Sequence, residues 1–161
     1  MQKGIKTRLI SYKILFDIRE NQVNFDQTFN AITLSQKILD SDKKFIHNIV
    51  LSSMRYYLYI DKIIPMYAKK KITTKQYILL LSSITQIVFL EFKDYAVVNS
   101  SVEIAKKIKI FPGFINAILK NIIKDKEELK KIKINYKDLP SWFIKENKDL
   151  SDKEKKLFLN T

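Results

Sequence analysis

Apolar residues recur at helical spacing along most of the chain. Ile5, Leu9, Ile10, Tyr12, Ile14, Leu15, Phe16 and Ile18 mark a first helix over residues 5–19, with Lys6, Arg8, Lys13 and Arg19 spread over the other positions. Residues 21–24 read as a loop and 25–38 as a second, weaker helix. Ser41 or Asp42 caps a third, which runs through Phe45, Ile46, Ile49, Val50 and Met54. The pattern continues or bends near Arg55 into residues 56–67, where Pro65 should kink or restart the helix. Thr73, with Gln76 three residues on, fits a capping box for a helix to about Phe92. That helix is apolar on most sides from Ile78 to Leu90, the pattern of a central, buried element. Asp94 caps a helix over 96–109, and Pro112 sits in the first turn of the next, which runs to about Ile123.

Beyond Lys124 the pattern changes. Residues 124–137 are dominated by charge, and a helix there would be solvated. An apolar patch over 139–144 holds the only Trp, Trp142, and Ser151 with Glu154 makes a last capping box before Leu157, Phe158 and Leu159. No internal repeat is visible.

Composition sharpens the fold class. The 161 residues suffice for one domain with a core, and a hydrophobic content of 46% argues against disorder. Two glycines and three prolines leave few signals for tight turns, which strand-rich folds need in number. The expectation is a single-domain, all-α helical bundle.

Charge adds a partner class without deciding it. Lys and Arg number 30 against 17 acids, a formal net charge of +13. Such an excess suits a polyanion, either nucleic acid or an anionic membrane surface. Only Arg8, Arg19 and Arg55 are arginines, and the lysines come with abundant Ile, Asn, Phe and Tyr, the mix that A/T-rich codons produce. Compositional drift therefore remains open beside selection for RNA. The longest apolar segment, 77–90, is interrupted by Ser82, Ser83, Thr85 and Gln86 and falls short of the roughly 20 residues of a membrane span. The N-terminus mixes charged and apolar residues, unlike a signal peptide. The expectation is a cytoplasmic protein without a membrane partner.

Most catalytic chemistry is excluded. Without cysteine there are no disulfides, thiolate metal sites or cysteine nucleophiles, and a single histidine, His47, builds no histidine metal site. His47 lies mid-helix and reads as a partly exposed side chain. Gly4 and Gly113 are isolated, so neither a P-loop nor a dinucleotide fingerprint exists. Carboxylates are scattered. The chain reads as a binding module or a piece of a larger enzyme, with no catalytic residue, no metal and no cofactor of its own.

Two helical stripes each carry one asparagine at an otherwise apolar position: Val98-Asn99-Ser100-Ser101-Val102, and Phe114-Ile115-Asn116-Ala117-Ile118-Leu119-Lys120. This wording resembles the NusB-like fold family, in which one helix carries valine-asparagine-glutamate-x-valine and the next phenylalanine-valine-asparagine-alanine-valine-leucine-arginine. Ser100 replaces the usual acid and Lys120 the arginine. Thr7-Arg8 with Ile14-Leu15 looks like the family's opening helix, and Phe45 through Met54-Arg55 like its third, although Ser52 stands where glycine is common. Leu81 to Leu90 looks like its central helix; Gln86-Ile87 keeps a glutamine-leucine pair, while Ser83 and Thr85 depart from glycine and tyrosine. The resemblance covers about residues 6–124, in order.

The family holds two kinds of protein. One is the free antitermination factor NusB, which binds RNA with a ribosomal protein. The other is the N-terminal domain of RsmB-type rRNA cytosine-C5 methyltransferases. The run from Pro112 to Lys120 is worded like the latter, and Pro140-Ser141-Trp142 resembles the linker to its catalytic domain. The resemblance thus implies a NusB-like RNA-binding domain over 1–127. Residues 128–161 would be a charged linker leading toward a catalytic domain, absent here, that would bind S-adenosylmethionine and carry catalytic cysteines. The implied role is positioning ribosomal RNA, of the small subunit, for cytosine-C5 methylation. The alternatives are a free NusB-type antitermination factor and a protein–protein docking module.

Residue roles follow. Candidate RNA contacts are Lys3, Lys6, Arg8, Lys13, Lys106, Lys107, Lys120 and Lys124, since neutralised phosphates dominate affinity. Arg8 and Lys120 are the positions where charge and resemblance agree. Asn99 and Asn116 are expected to be buried amides tying helices together. Gly113 is expected to supply a tight turn between helices. Trp142 is expected to anchor a second domain or to pack back on the bundle.

Overall fold

The computed structural model describes residues 3–146 and 148–159, the side chains of Lys3, Phe143 and residues 156–159 excepted. The side chains of Lys3, Leu157, Phe158 and Leu159 therefore lie outside what is described. Among the described residues the chain is helical with no strand, as its patterning requires: α1 (Lys3–Asn21), α2 (Phe25–Ser35), α3 (Asp40–Arg55), α4 (Tyr57–Tyr67), α5 (Thr74–Ile84), a π-helical turn (Thr85–Phe89), α6 (Asp94–Lys107), α7 (Pro112–Lys124), α8 (Lys126–Leu129), a 3₁₀ turn (Tyr136–Asp138), α9 (Ser141–Glu146) and α10 (Asp152–Leu159).

Local signals place several boundaries. The Asn24 side chain accepts from the Gln27 backbone N–H and caps α2. Thr73 and Gln76 form both bonds of the expected capping box at α5. Pro112 occupies the first turn of α7, where a missing N–H leaves no bond unmade. The helix α3 begins before Ser41, after Leu39, with no side-chain cap. Asp94 lies inside the first turn of α6 rather than at its cap, and its carboxylate takes Lys126 Nζ at 3.2 Å. Pro65 does not restart α4, which continues through it and ends two residues later at Tyr67.

The core is largely isoleucine. Ile14, Ile46, Ile60, Ile63, Ile84, Ile87 and Ile115 are fully buried between α1, α3, α4, α5, the π turn and α7. The α5 segment from Ile78 to Ile84 is buried throughout, including Ser82 and Ser83. Their hydroxyls do not go unsatisfied. Ser83 Oγ donates to the Leu79 carbonyl at 2.7 Å and lies 2.6 Å from Ser101 Oγ of α6. Thr85 Oγ1 donates to the Leu81 carbonyl, and the Gln86 amide nitrogen to the Ser82 carbonyl and hydroxyl. Hydroxyls that bond back onto the preceding turn loosen a helix. Here the ladder widens to a π turn, with Leu90 N–H reaching the Thr85 carbonyl at 3.0 Å. Glu91, at φ 54°, then ends the element.

The chain crosses residue 127 without leaving the bundle. Leu129 joins the core, Leu139 is buried, and Lys62 of α4 holds both the Lys133 carbonyl and the Asp138 carboxylate at 3.1 Å. Part of the expected linker is thus packed structure, while Trp142 beyond it is 62% exposed.

Candidate nucleic-acid interface

The helices α6 and α7 pack as an antiparallel hairpin, and α6 also lies against α1. The reversal between them is made at Lys109, whose φ is 61°, and the Ile110 N–H returns to the Ala105 carbonyl. Gly113, expected to supply this turn, has no positive φ and lies within α7. Its bare Cα instead accommodates the Phe111 ring, since a Cβ there would meet ring carbon Cζ at 2.9 Å.

One side of the hairpin faces the core through Val97, Ile104, Ile115 and Ile118. The other side holds an open groove of about 370 Å³. Val98 and Val102 of α6 and Ile123 of α7 give it apolar walls, and Tyr95, 82% exposed, stands at one end. Asn99 and Asn116 line it from the two helices, and Lys120 lies one turn beyond Asn116. Both asparagines were expected to be buried ties. Asn99 is exposed and Asn116 half-buried, and among the described residues neither amide has a hydrogen-bond partner. The helix phase is the reason. A position flanked by Val98 and Val102 reads as core, but those two valines are only half-buried and line the groove, Val98 packing also against the edge of the core.

Arg8 moves in the opposite direction. Expected on the surface as an RNA contact, it is 8% exposed, its Nε donating to Gln86 Oε1 at 2.7 Å and its Nη1 reaching Ser100 Oγ at 3.5 Å and the Gly4 carbonyl at 3.4 Å. Its guanidinium also lies 5.2 Å from the centre of the Phe45 ring. Burial lowers its pKa by desolvation. A side chain so enclosed ties α1 to the π turn and α6 and does not reach out to a phosphate. Ser100, at the family's usual acidic position, supplies one of its acceptors.

The remaining candidates with described side chains are exposed but not gathered in one place. Lys6 and Lys13 lie seven residues apart on α1, along one face. Lys6 borders a second depression against Gln36 to Leu39 and Asp42. Lys106 and Lys107 end α6, with Lys106 paired to Glu103 at 3.1 Å. Lys120 and Lys124, one turn apart on α7, lie at the end of the hairpin away from Lys106 and Lys107. Tyr95 and the groove itself were missed from sequence. The signal was the i,i+4 spacing of Tyr95 with Asn99 and of Asn116 with Lys120, a second helical face beside the apolar one. His47 is exposed, its ring set edge-on against Phe25 and Phe29, and takes part in no such cluster.

Comparison with known proteins agrees with this architecture. The NusB family matches residues 5–124. No curated protein matches the chain in sequence. Among solved structures it is similar to NusB of T. maritima, at 19% identity and a TM-score of 0.69 over 82% of this chain and 99% of that one. It is also similar to a chain in the crystal structure of the antitermination factors NusB and NusE with dsRNA, at 20% identity, TM-score 0.68, covering 77% and 98%. A chain from the crystal structure of a plectonemic RNA supercoil matches at 20% identity, TM-score 0.70, covering 77% and 96%. At these identities the likeness shows the fold.

Proposed function

The chain belongs to the NusB family, and from that premise we propose that it binds RNA, holding ribosomal RNA of the small subunit in position for a cytosine-C5 methyltransferase. The observation that carries the RNA reading is that five of the candidate lysines, Lys6, Lys13, Lys107, Lys120 and Lys124, are exposed without acidic partners among the described residues, on a chain of net charge +13. Lysines held by carboxylates would release few counterions on binding a polyanion; these are available to do so. The fold is also that of NusB in a complex with NusE and dsRNA. The proposal gives this chain no catalytic step and no cofactor, and it sets the protein in the cytoplasm. No helix among the described residues is long and apolar enough to cross a membrane.

The methyltransferase context is supported by the chain's continuation past the matched stretch. Residues after Lys124 pack through Leu129 and Leu139 and then present Trp142 outward, a place where a following domain could anchor. The reading requires a coding region that continues past Thr161 into a glycine-rich, cysteine-bearing domain. The second reading, a free antitermination factor, is favoured by the likeness to the NusB–NusE assembly. It requires that this chain bind a NusE-type ribosomal protein in solution.

The test of RNA binding is fluorescence anisotropy over a salt series, with a ribosomal-RNA hairpin and a scrambled control. The expected result is preference for the hairpin and a steep salt slope, which falls by about 1 for each lysine removed in Lys120→Glu/Lys124→Glu. A shallow slope with no preference between the two RNAs would show the charge to be compositional.

A further inference from the structure

We infer that the α6–α7 groove receives one unpaired base of the RNA, with adenine the best match, stacked on Tyr95, its edge read by Asn99 and Asn116 and its phosphate met by Lys120. The inference rests on the RNA-binding reading and adds what part of the RNA is recognised and by which residues. Four features of the groove converge on this occupant.

The first is the pair of free amides. Each asparagine side chain offers one acceptor and two donors, and neither amide has a partner among the described residues. Adenine presents an acceptor beside an amino donor, the pattern that an amide matches in a bidentate pair. The second is Tyr95, which is 82% exposed and lies four residues before Asn99. Unstacked RNA bases are held by aromatic faces together with hydrogen bonds to their edges. The third is size and wall chemistry. The volume of about 370 Å³ falls within the roughly 300–1,000 Å³ of small-ligand pockets, and apolar walls with a few polar groups suit a flat heterocycle. The fourth is charge. Lys120 lines the groove unpaired, whereas Asp94, the acid in its lining, is neutralised by Lys126 at 3.2 Å. An anionic backbone is favoured there and a basic peptide is not. A base inside a continuous duplex would not reach the groove, so the occupant is a bulged or looped nucleotide.

The experiment compares a hairpin bearing one bulged adenine, the same hairpin with a bulged uracil, and the fully paired hairpin, by anisotropy with the whole chain. Asn99→Ala/Asn116→Ala and Tyr95→Ala are measured beside wild type; all three residues are open to solvent or half-buried, and thermal melts confirm folding. Wild type should bind the bulged adenine about tenfold more tightly than the paired hairpin, with uracil between them. Both variants should lose that preference to within about twofold while keeping wild-type affinity and salt slope for the paired hairpin. A steep salt slope with equal affinity for all three hairpins overturns the groove inference and leaves the RNA reading standing. A shallow slope on every hairpin overturns the RNA reading itself. If the variants keep the adenine preference yet lose binding of a hexaglutamate peptide, the groove is a peptide site and the inference is wrong.

Discussion

Adjacent positions on α6 have opposite fates. Ser100 and Ser101 are 4% and 2% exposed and fully engaged, one taking the Arg8 guanidinium and the other facing the Ser83 hydroxyl across to α5. Asn99, one residue earlier, lies in the outer groove with its amide unused. The inner face is a closed polar layer, and among the described residues no fully buried side-chain nitrogen or oxygen lacks a partner. The outer face is an open one whose two amides have no partner among the described residues. Buried polar groups must be paired, whereas exposed ones are under no such constraint. Partner status, rather than residue type, therefore separates groups that build this protein from groups free to recognise something else.

The largest effect expected from breaking the inner layer is at Arg8. Arg8→Ala leaves the Gln86 carbonyl oxygen without its donor and opens a void beside Phe45. Urea unfolding should show a loss of about 2–4 kcal/mol. A loss under about 0.5 kcal/mol would remove Arg8 from the structural layer and return it to the RNA contacts. A smaller loss, about 1 kcal/mol, is expected for Ser101→Ala, because Ser83 keeps its bond to the Leu79 carbonyl when its partner hydroxyl goes. In the outer groove Asn99→Ala/Asn116→Ala should change stability by no more than about 0.5 kcal/mol. A drop of 2 °C or more in Tm beyond that of surface controls would mean that these amides do tie the hairpin, and the contrast between the faces would fail.

The smallest effect is confined to the C-terminal segment and to acid. The Asn135 backbone N–H, and then Lys62, hold the Asp138 carboxyl below its ordinary value of 3.8. A depressed carboxyl pKa contributes stability that is present above that ordinary value and is lost as pH falls through the lower, folded one. Trp142 fluorescence should therefore be flat from pH 7 to about 5 and change only below about 4. Lys62→Met should move that change to higher pH. An unmoved midpoint would show that the Lys62–Asp138 pair does not dock the segment.

The fold was legible in the sequence to the extent that it depends on local chemistry. The Thr73–Gln76 box, the Pro112 helix start and the all-round apolar run after Ile78 each have a mechanism contained within a few residues. The π turn was not legible, because it depends on hydroxyls of Ser83 and Thr85 bonding backward while α6 packs alongside. Three residues of the candidate site were inverted, while the described lysines lie on the surface as expected. Arg8 was expected outside and lies inside, and Asn99 and Asn116 were expected inside and lie at the rim. Periodicity shows that a helix has an apolar stripe, but a helix bearing a groove on one side and core on the other has two, and spacing alone does not say which is packed. Gly113 failed for a related reason: its value lies in the room it leaves for the Phe111 ring, a contact invisible to turn statistics.

The bonds from Arg8 to Gln86 and Ser100 join residues 78 and 92 positions apart. The α6–α7 hairpin, by contrast, closes through a turn of a few residues. On a ribosome adding roughly 5–20 residues per second, α1 emerges before Gln86 and Ser100 and waits on the order of 5–20 seconds for them. Arg8 goes without those acceptors over that interval, although α2 and α3, made sooner, already pack on the same helix.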